Sequence, residues 1–117
     1  MTDAPGSWPA QWLRGVLELC VLALVADDET YGYAIAQQLE TAGFGRVKGG
    51  TLYPILLRLE EDALVTSDWR EGEAGPGRKF YRVTEAGRTE LDRRRRHWAA
   101  FTDTADKLLH RTGRESP

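Results

Sequence analysis

The sequence predicts a mainly α fold with one small β-hairpin, ending in a long C-terminal helix, and three observations lead there. First, Gly49-Gly50-Thr51-Leu52-Tyr53-Pro54 reads as a helix start near Thr51. Thr is a favoured N-cap, and a proline three residues later costs little, because the first four backbone N–H groups of a helix have no intrahelical partner. Leu52, Ile55, Leu56 and Leu59 then recur at helical spacing on one face and leave Thr51, Tyr53, Leu57 and Arg58 on or near the other. Second, two β-like runs, 64–69 and 79–83, flank the glycine- and proline-bearing loop 70–78, which is the pattern of a hairpin. Third, Leu91, Trp98, Phe101, Ala105 and Leu108 follow one another at seven-, three- and four-residue steps, the spacing of a helix packed on another along a narrow seam. A helix followed by a basic-flanked hairpin, behind two earlier helices, is the order of a winged helix-turn-helix.

Taken in chain order, residues 1–9 hold two prolines and a glycine and are expected to form a flexible arm. A first helix should span 10–25. Its apolar residues Trp12, Leu13, Val16, Leu17, Cys20, Val21 and Leu24 cover more than one stripe, so it needs cover on two sides, one from the core and one from a second subunit. Trp12 is read as a packing residue. Asp27-Asp28-Glu29-Thr30 makes a polar turn, and Thr30 can cap a second helix over 31–42 that Gly43 terminates. Ile35 and Leu39 should face inward there, with Tyr31 beside them. After the third helix and the hairpin, Thr84 can cap the last helix, with Glu85 at the positive end of its dipole. A helix of about 25 residues would be about 38 Å long, too long for so small a body to cover, which places its seam between two subunits. Arg93-Arg94-Arg95-Arg96 interrupts that seam and centres it on Trp98 to Leu108. Four consecutive helical residues point around the whole circumference, so these arginines are expected to be solvated or paired with Glu90 and Asp92 rather than to form one basic stripe. The expected division is a winged-helix DNA-binding domain over 10–83, a dimerisation helix over 84–111 and a disordered tail over 112–117.

Length and composition narrow the function. A chain of 117 residues with 41% hydrophobic content suits one domain with a modest core. The net charge of −2 is unlike that of a uniformly basic nucleic-acid binder, but the cations are segregated. Residues 42–59 carry Arg46, Lys48 and Arg58 with no acid, and residues 74–84 carry Arg78, Lys79 and Arg82 with none. With the acids gathered in Asp27-Asp28-Glu29 and Glu60-Glu61-Asp62, an electropositive side and an acidic back are expected. Cys20, the single cysteine, lies in an apolar run and is read as core. That run is too short to span a membrane, and residues 1–9 lack the features of a secretory signal, so a cytoplasmic location is expected. His97 and His110 have no neighbours at metal-ligand spacing, the loop 72–77 lacks a phosphate-loop ending, and no catalytic set suggests itself; neither an enzyme nor a cofactor or metal is expected. Major-groove readout needs an exposed helix with early donors flanked by cations, and Lys48, Thr51, Tyr53 and Arg58 meet that description. The competing class is a protein-interaction module that docks a partner on the Tyr53 face; salt separates the two, because binding through several phosphates weakens steeply as salt rises.

The chain resembles the PadR-like transcriptional regulators, dimeric winged-helix repressors. The residues that carry the resemblance are Leu13-Arg14-Gly15, Tyr31-Gly32-Tyr33 with Ile35, Gly50-Thr51-Leu52-Tyr53-Pro54 and Arg58-Leu59-Glu60. Beyond them follow Leu64-Val65, Trp69, Gly75-Pro76, Arg78-Lys79-Phe80-Tyr81-Arg82 and Thr84-Glu85-Ala86-Gly87, so that the likeness runs from about residue 12 to 109. It is similar to the short branch of the family, in which one C-terminal helix serves for dimerisation. The resemblance implies that the Thr51 helix enters the major groove of a double-stranded operator while the wing follows the phosphates or the minor groove. It places Thr51, Tyr53 and Arg58 on DNA, with Arg78 and Lys79 from the wing. Glu71 and Glu73 at the loop tip would repel phosphate, so wing contact is expected at the strand bases. In some relatives the residue matching Trp98 stacks on planar drugs between the subunits. Trp98 therefore either fills the dimer seam or holds a small aromatic effector, with Glu18 as a polar wall of that pocket.

Overall fold

The computed structural model describes residues 8–72, 75 and 77–111. Residues 1–7 of the expected arm, the expected tail 112–117 and Glu73 of the loop tip lie outside the described residues.

Helix α1, Ala10–Asp27, buries Leu17, Val21, Leu22 and Val25 and is the central strut of the core. It runs two residues past its expected end. The pair Thr30–Tyr31 forms a short strand, β1, and helix α2 spans Gly32–Leu39 with Ile35 and Leu39 buried. A wider π-type turn, Glu40–Phe44, follows, in which Gly43 has a φ of 113°. Glycine adopts that conformation without the steric penalty a side chain would meet, so Gly43 ends the helical path as expected. Helix α3 is Gly49–Glu61, strands β2 and β3 are Val65–Arg70 and Arg78–Val83, and helix α4 is Glu85–Leu109. The strands form an antiparallel sheet in the order β1-β3-β2, with Thr30 opposite Tyr81 and Trp69 opposite Lys79.

The core fills the space between α1, α2, α3 and the sheet: Leu52, Ile55, Leu56 and Leu59 are all buried, as their spacing predicts, against Leu17, Val21, Leu22, Ile35, Leu39, Val65 and Tyr81. Cys20 packs half-buried on this cluster, and burial pushes its thiol pKa up. The start of α4 is fastened to the turn before β2. Thr84 accepts a hydrogen bond from the Gly87 N–H at 2.9 Å, the expected cap, and donates one to the Ala63 carbonyl at 2.7 Å. Any side chain at Gly87 would collide with the Leu64 carbonyl, so this close approach of helix to backbone requires glycine.

Several expectations are corrected. Thr30 does not cap a helix over 31–42. It is buried in an extended pair that adds a third strand to the hairpin, and the helix starts only at Gly32. Nor is Thr51 the N-cap of α3. The extended residue Lys48 holds that position, and its carbonyl accepts from the N–H groups of Thr51 and Leu52. Pro54 thus sits in the second turn, where it removes the hydrogen bond to the Gly50 carbonyl; Gly50 and Pro54 are both exposed, so solvent can take that bond's place. Strand β2 is displaced by one residue from the expected 64–69, and β3 starts one residue before the expected 79–83 and ends where expected. Leu91 is buried inside the subunit, and Trp12, read as a packing residue, is 61% exposed within it.

Candidate nucleic-acid interface

At 3.6 residues per turn, successive side chains on α3 are about 100° apart, and this sets what each flank presents. The buried stripe faces α1 and the sheet. Opposite it stands a ridge made of Gly50, Pro54, Leu57 and Glu61, all exposed. Thr51 and Arg58 lie on the flank toward α1, whereas Tyr53 lies on the flank toward the wing, about 160° from Thr51. The residues expected on one reading face are therefore split across two sides of the helix.

On the α1 side, Lys48, Thr51 and Arg58 border a cavity of ≈ 460 Å³ together with Arg14 and Arg46, over an apolar floor that includes Leu13 and Ile55. Arg58 does not pair with Asp62, the partner at i,i+4. Its Nε donates to Glu18 Oε1 at 3.0 Å, and the other oxygen of Glu18 accepts from Arg94 at 3.0 Å. Arg94 also reaches Glu90 at 2.6 Å, so one ionic chain runs from α3 across α1 to α4. The guanidinium groups of Arg93 and Arg94 hold the Glu90 carboxyl down to about 2. With Arg95 3.5 Å from Asp92, three of the four consecutive arginines are paired, as expected.

On the wing side, Tyr53 is half exposed and its ring lies against Gly32; a side chain there would run into the phenol, so glycine at the head of α2 is what lets α3 sit this close. Tyr53, Leu57 and Glu60 of α3 and Trp69, Arg78 and Lys79 of the hairpin line a groove of ≈ 550 Å³. Alternation along the strands sends Trp69, Ser67 and Lys79 to the α3 face and Arg70, Arg78 and Arg82 to the outer face. Glu60 is held by the Ser67 hydroxyl at 2.6 Å and by Lys79 at 3.6 Å. On the outer face Glu29 accepts from both Arg70 and Arg82, at 2.6 and 2.8 Å, and those two cations hold its carboxyl at about 2. Arg78 lies 4.5 Å over the Tyr31 ring.

The expected effector residues do come together. Glu18 and Trp98 line a groove of ≈ 380 Å³ between α1 and α4, with Arg14, Arg94, His97 and Phe101. Trp98 packs on Phe101 with ring centroids 5.7 Å apart. Of the expected dimer residues, Trp98, Phe101 and Leu108 are exposed, Ala105 is partly so, and Leu91 belongs to the subunit core. Of the acids expected at the back, Asp27, Asp28 and Glu29 line a groove between α1 and α2 together with Glu40, whereas Glu60 lines the groove beside the hairpin and Glu61 stands on the exposed ridge of α3.

Sequence reasoning did not single out Arg14, Arg46, Leu57 or Trp69 as interface residues. A signal existed for two of them: Arg46 lies in the acid-free run before α3, and Leu57 is a leucine out of phase with the buried stripe. Among the described residues no helix is long and apolar enough to cross a membrane.

Comparison with known proteins agrees with this architecture. The model of the transcriptional regulator PadR-like family matches residues 21–93. The transcriptional regulator Rv3488 of Mycobacterium tuberculosis is 42% identical over 99 residues, covering 85% of this chain and 88% of the relative. Among solved structures, a PadR-like transcriptional regulator from Bacillus cereus superposes with a TM-score of 0.77 at 34% identity, over 87% of this chain and 99% of that one. A PadR family regulator from Eggerthella lenta gives 0.79 at 33% identity, over 88% and 89%. These matches are to transcriptional regulators and not to enzymes. With the winged-helix order, the glycine-tyrosine contact beneath α3 and the capped C-terminal helix all in place, the chain belongs to the PadR-like family of transcriptional regulators.

Proposed function

We propose that the protein is a homodimeric repressor that binds a two-fold-related double-stranded DNA operator through residues 10–83, dimerises through 84–111, and is released by a small aromatic effector. The observation that carries the reading is the exposed ridge of α3, with Lys48, Thr51 and Arg58 on one side and Tyr53, Arg78 and Lys79 on the other. A helix that enters the major groove meets phosphates along both edges, so cations on both flanks suit it, and half-sites about 34 Å apart, one helical turn, follow for a dimer. Phe101, Leu108 and Leu109 stand exposed along α4, with Trp12 exposed at the start of α1, an apolar surface that a second subunit would cover. The groove holding Trp98 and Glu18 offers an indole face to a flat ligand. An operator-binding role places the protein in the cytoplasm.

The test is selection of sheared genomic DNA by the purified protein at moderate salt, with a variant carrying Thr51→Ala, Tyr53→Ala and Arg58→Ala as control. Enrichment of an inverted repeat by the native protein alone is expected. Equal retention by both proteins, or binding insensitive to salt, would favour the protein-docking alternative. For the effector, Trp98→Ala should leave operator affinity intact and abolish release by flat aromatic compounds; release unchanged in the variant would remove that part.

A further inference from the structure

Leu57 occupies the centre of the exposed ridge of α3 and is 56% exposed. The positions before it on the ridge, Gly50 and Pro54, project little, and Glu61 beyond it brings negative charge. Leu57 is thus the outermost apolar group on the part of the helix free of acid. Across the groove Trp69, 71% exposed, continues the apolar surface, and Arg78 and Lys79 stand beside it. Among the described residues the one acid lining that groove is Glu60, and it is already engaged by Ser67 and Lys79.

The resulting surface is apolar along its middle, with Arg46, Lys48 and Arg58 on the side toward α1 and Lys79 at the edge of the wing. Its complement must be anionic along two edges with an apolar group between them. The major groove of duplex DNA has that character: phosphates border it, and the apolar group on its floor is the C5 methyl of thymine. We infer that Leu57 contacts a thymine methyl in each half-site, making it a specificity-determining residue that reads a base by apolar contact instead of by hydrogen bonding. This rests on the reading of α3 as the DNA-binding helix, and the experiment separates the two.

A pool of duplexes with a randomised central segment is selected on the native protein, and the best-retained duplex is remade with each thymine in turn replaced by deoxyuridine. That change deletes the methyl and keeps every hydrogen-bonding group. One thymine per half-site should then lose about fourfold in affinity, the ratio that burial of one methyl-sized group implies. The same replacement should have no effect on Leu57→Ala, nor on Leu57→Gln, which keeps the side-chain length; thermal unfolding of both variants should match the native protein. Indifference of the native protein to the loss of every methyl overturns the inference, as does an equal loss in the Leu57 variants, and in either case operator binding itself stands. A pool that yields no enriched sequence overturns both readings and leaves a docked protein as the occupant of the strip.

Discussion

On the outer face of the sheet, Arg70 and Arg82 close on the single carboxylate of Glu29, and Arg70 also lies 4.4 Å over the Phe80 ring. At the head of α3, by contrast, no ion pair among the described residues involves Arg14, Arg46 or Lys48. Both clusters are built of cations, yet one joins β1's approach to the hairpin and the other faces solvent with its hydrogen-bonding capacity unspent. A cation already satisfied by a carboxylate must give up that partner before it can meet a phosphate. The head of α3 therefore has more to gain from DNA than the sheet does, and Arg58, held by Glu18, stands between the two cases.

This contrast can be broken experimentally. The largest effect is expected from replacing Arg14, Arg46 and Lys48 together by Ala. The slope of log affinity for DNA against log salt should fall by about 0.9 for each of the three that meets a phosphate, while stability changes by no more than about 0.5 kcal/mol per site. An unchanged slope would mean that these cations are as uninvolved as those of the sheet. Arg70→Ala should do the reverse: it strips Glu29 of its two-pronged partner, so the melting temperature drops while the salt slope stays the same. The smallest effect lies in the acid range. Glu29 has its carboxyl at about 2 in the folded chain against an ordinary 4.5, so between those values the unfolded state binds more protons and stability rises with pH. Its contribution is fully present above pH 4.5 and is lost as pH falls through about 2. Urea midpoints measured from pH 5 down to 2 should therefore fall less steeply for Glu29→Gln, with the remaining slope owed in part to Glu90, which Arg93 and Arg94 depress in the same way.

The parts of this molecule that were legible in sequence are those decided within a few residues. The buried stripe of α3, the Thr84 cap and the 25-residue span of α4 follow from local periodicity and capping chemistry. β1 was not legible, because two residues carry no period and a Thr at a chain turn reads equally well as a cap or as the end of a strand; Tyr81, about fifty residues away, decides between them. Gly49 and Gly50 have low helix propensity and so read as loop, although the extended Lys48 before them sets the first turn. Charge runs show where the cations lie along the chain. They could not distinguish Arg82, tied to Glu29 across 53 positions, from Lys48, since ion pairs between distant elements leave no local trace. The separation of Thr51 from Tyr53 is a different matter: two residues apart on any α-helix, they diverge by about 160°, so helical periodicity alone puts them on different faces.

Glu18 is a point where three helices are tied through one side chain. Each of its oxygens answers to a different neighbour, Arg58 of α3 and Arg94 of α4, so the carboxylate works as a junction in which the two grips compete for the same negative charge. Any movement of α3 or of α4 relative to α1 is therefore felt at this one carboxylate.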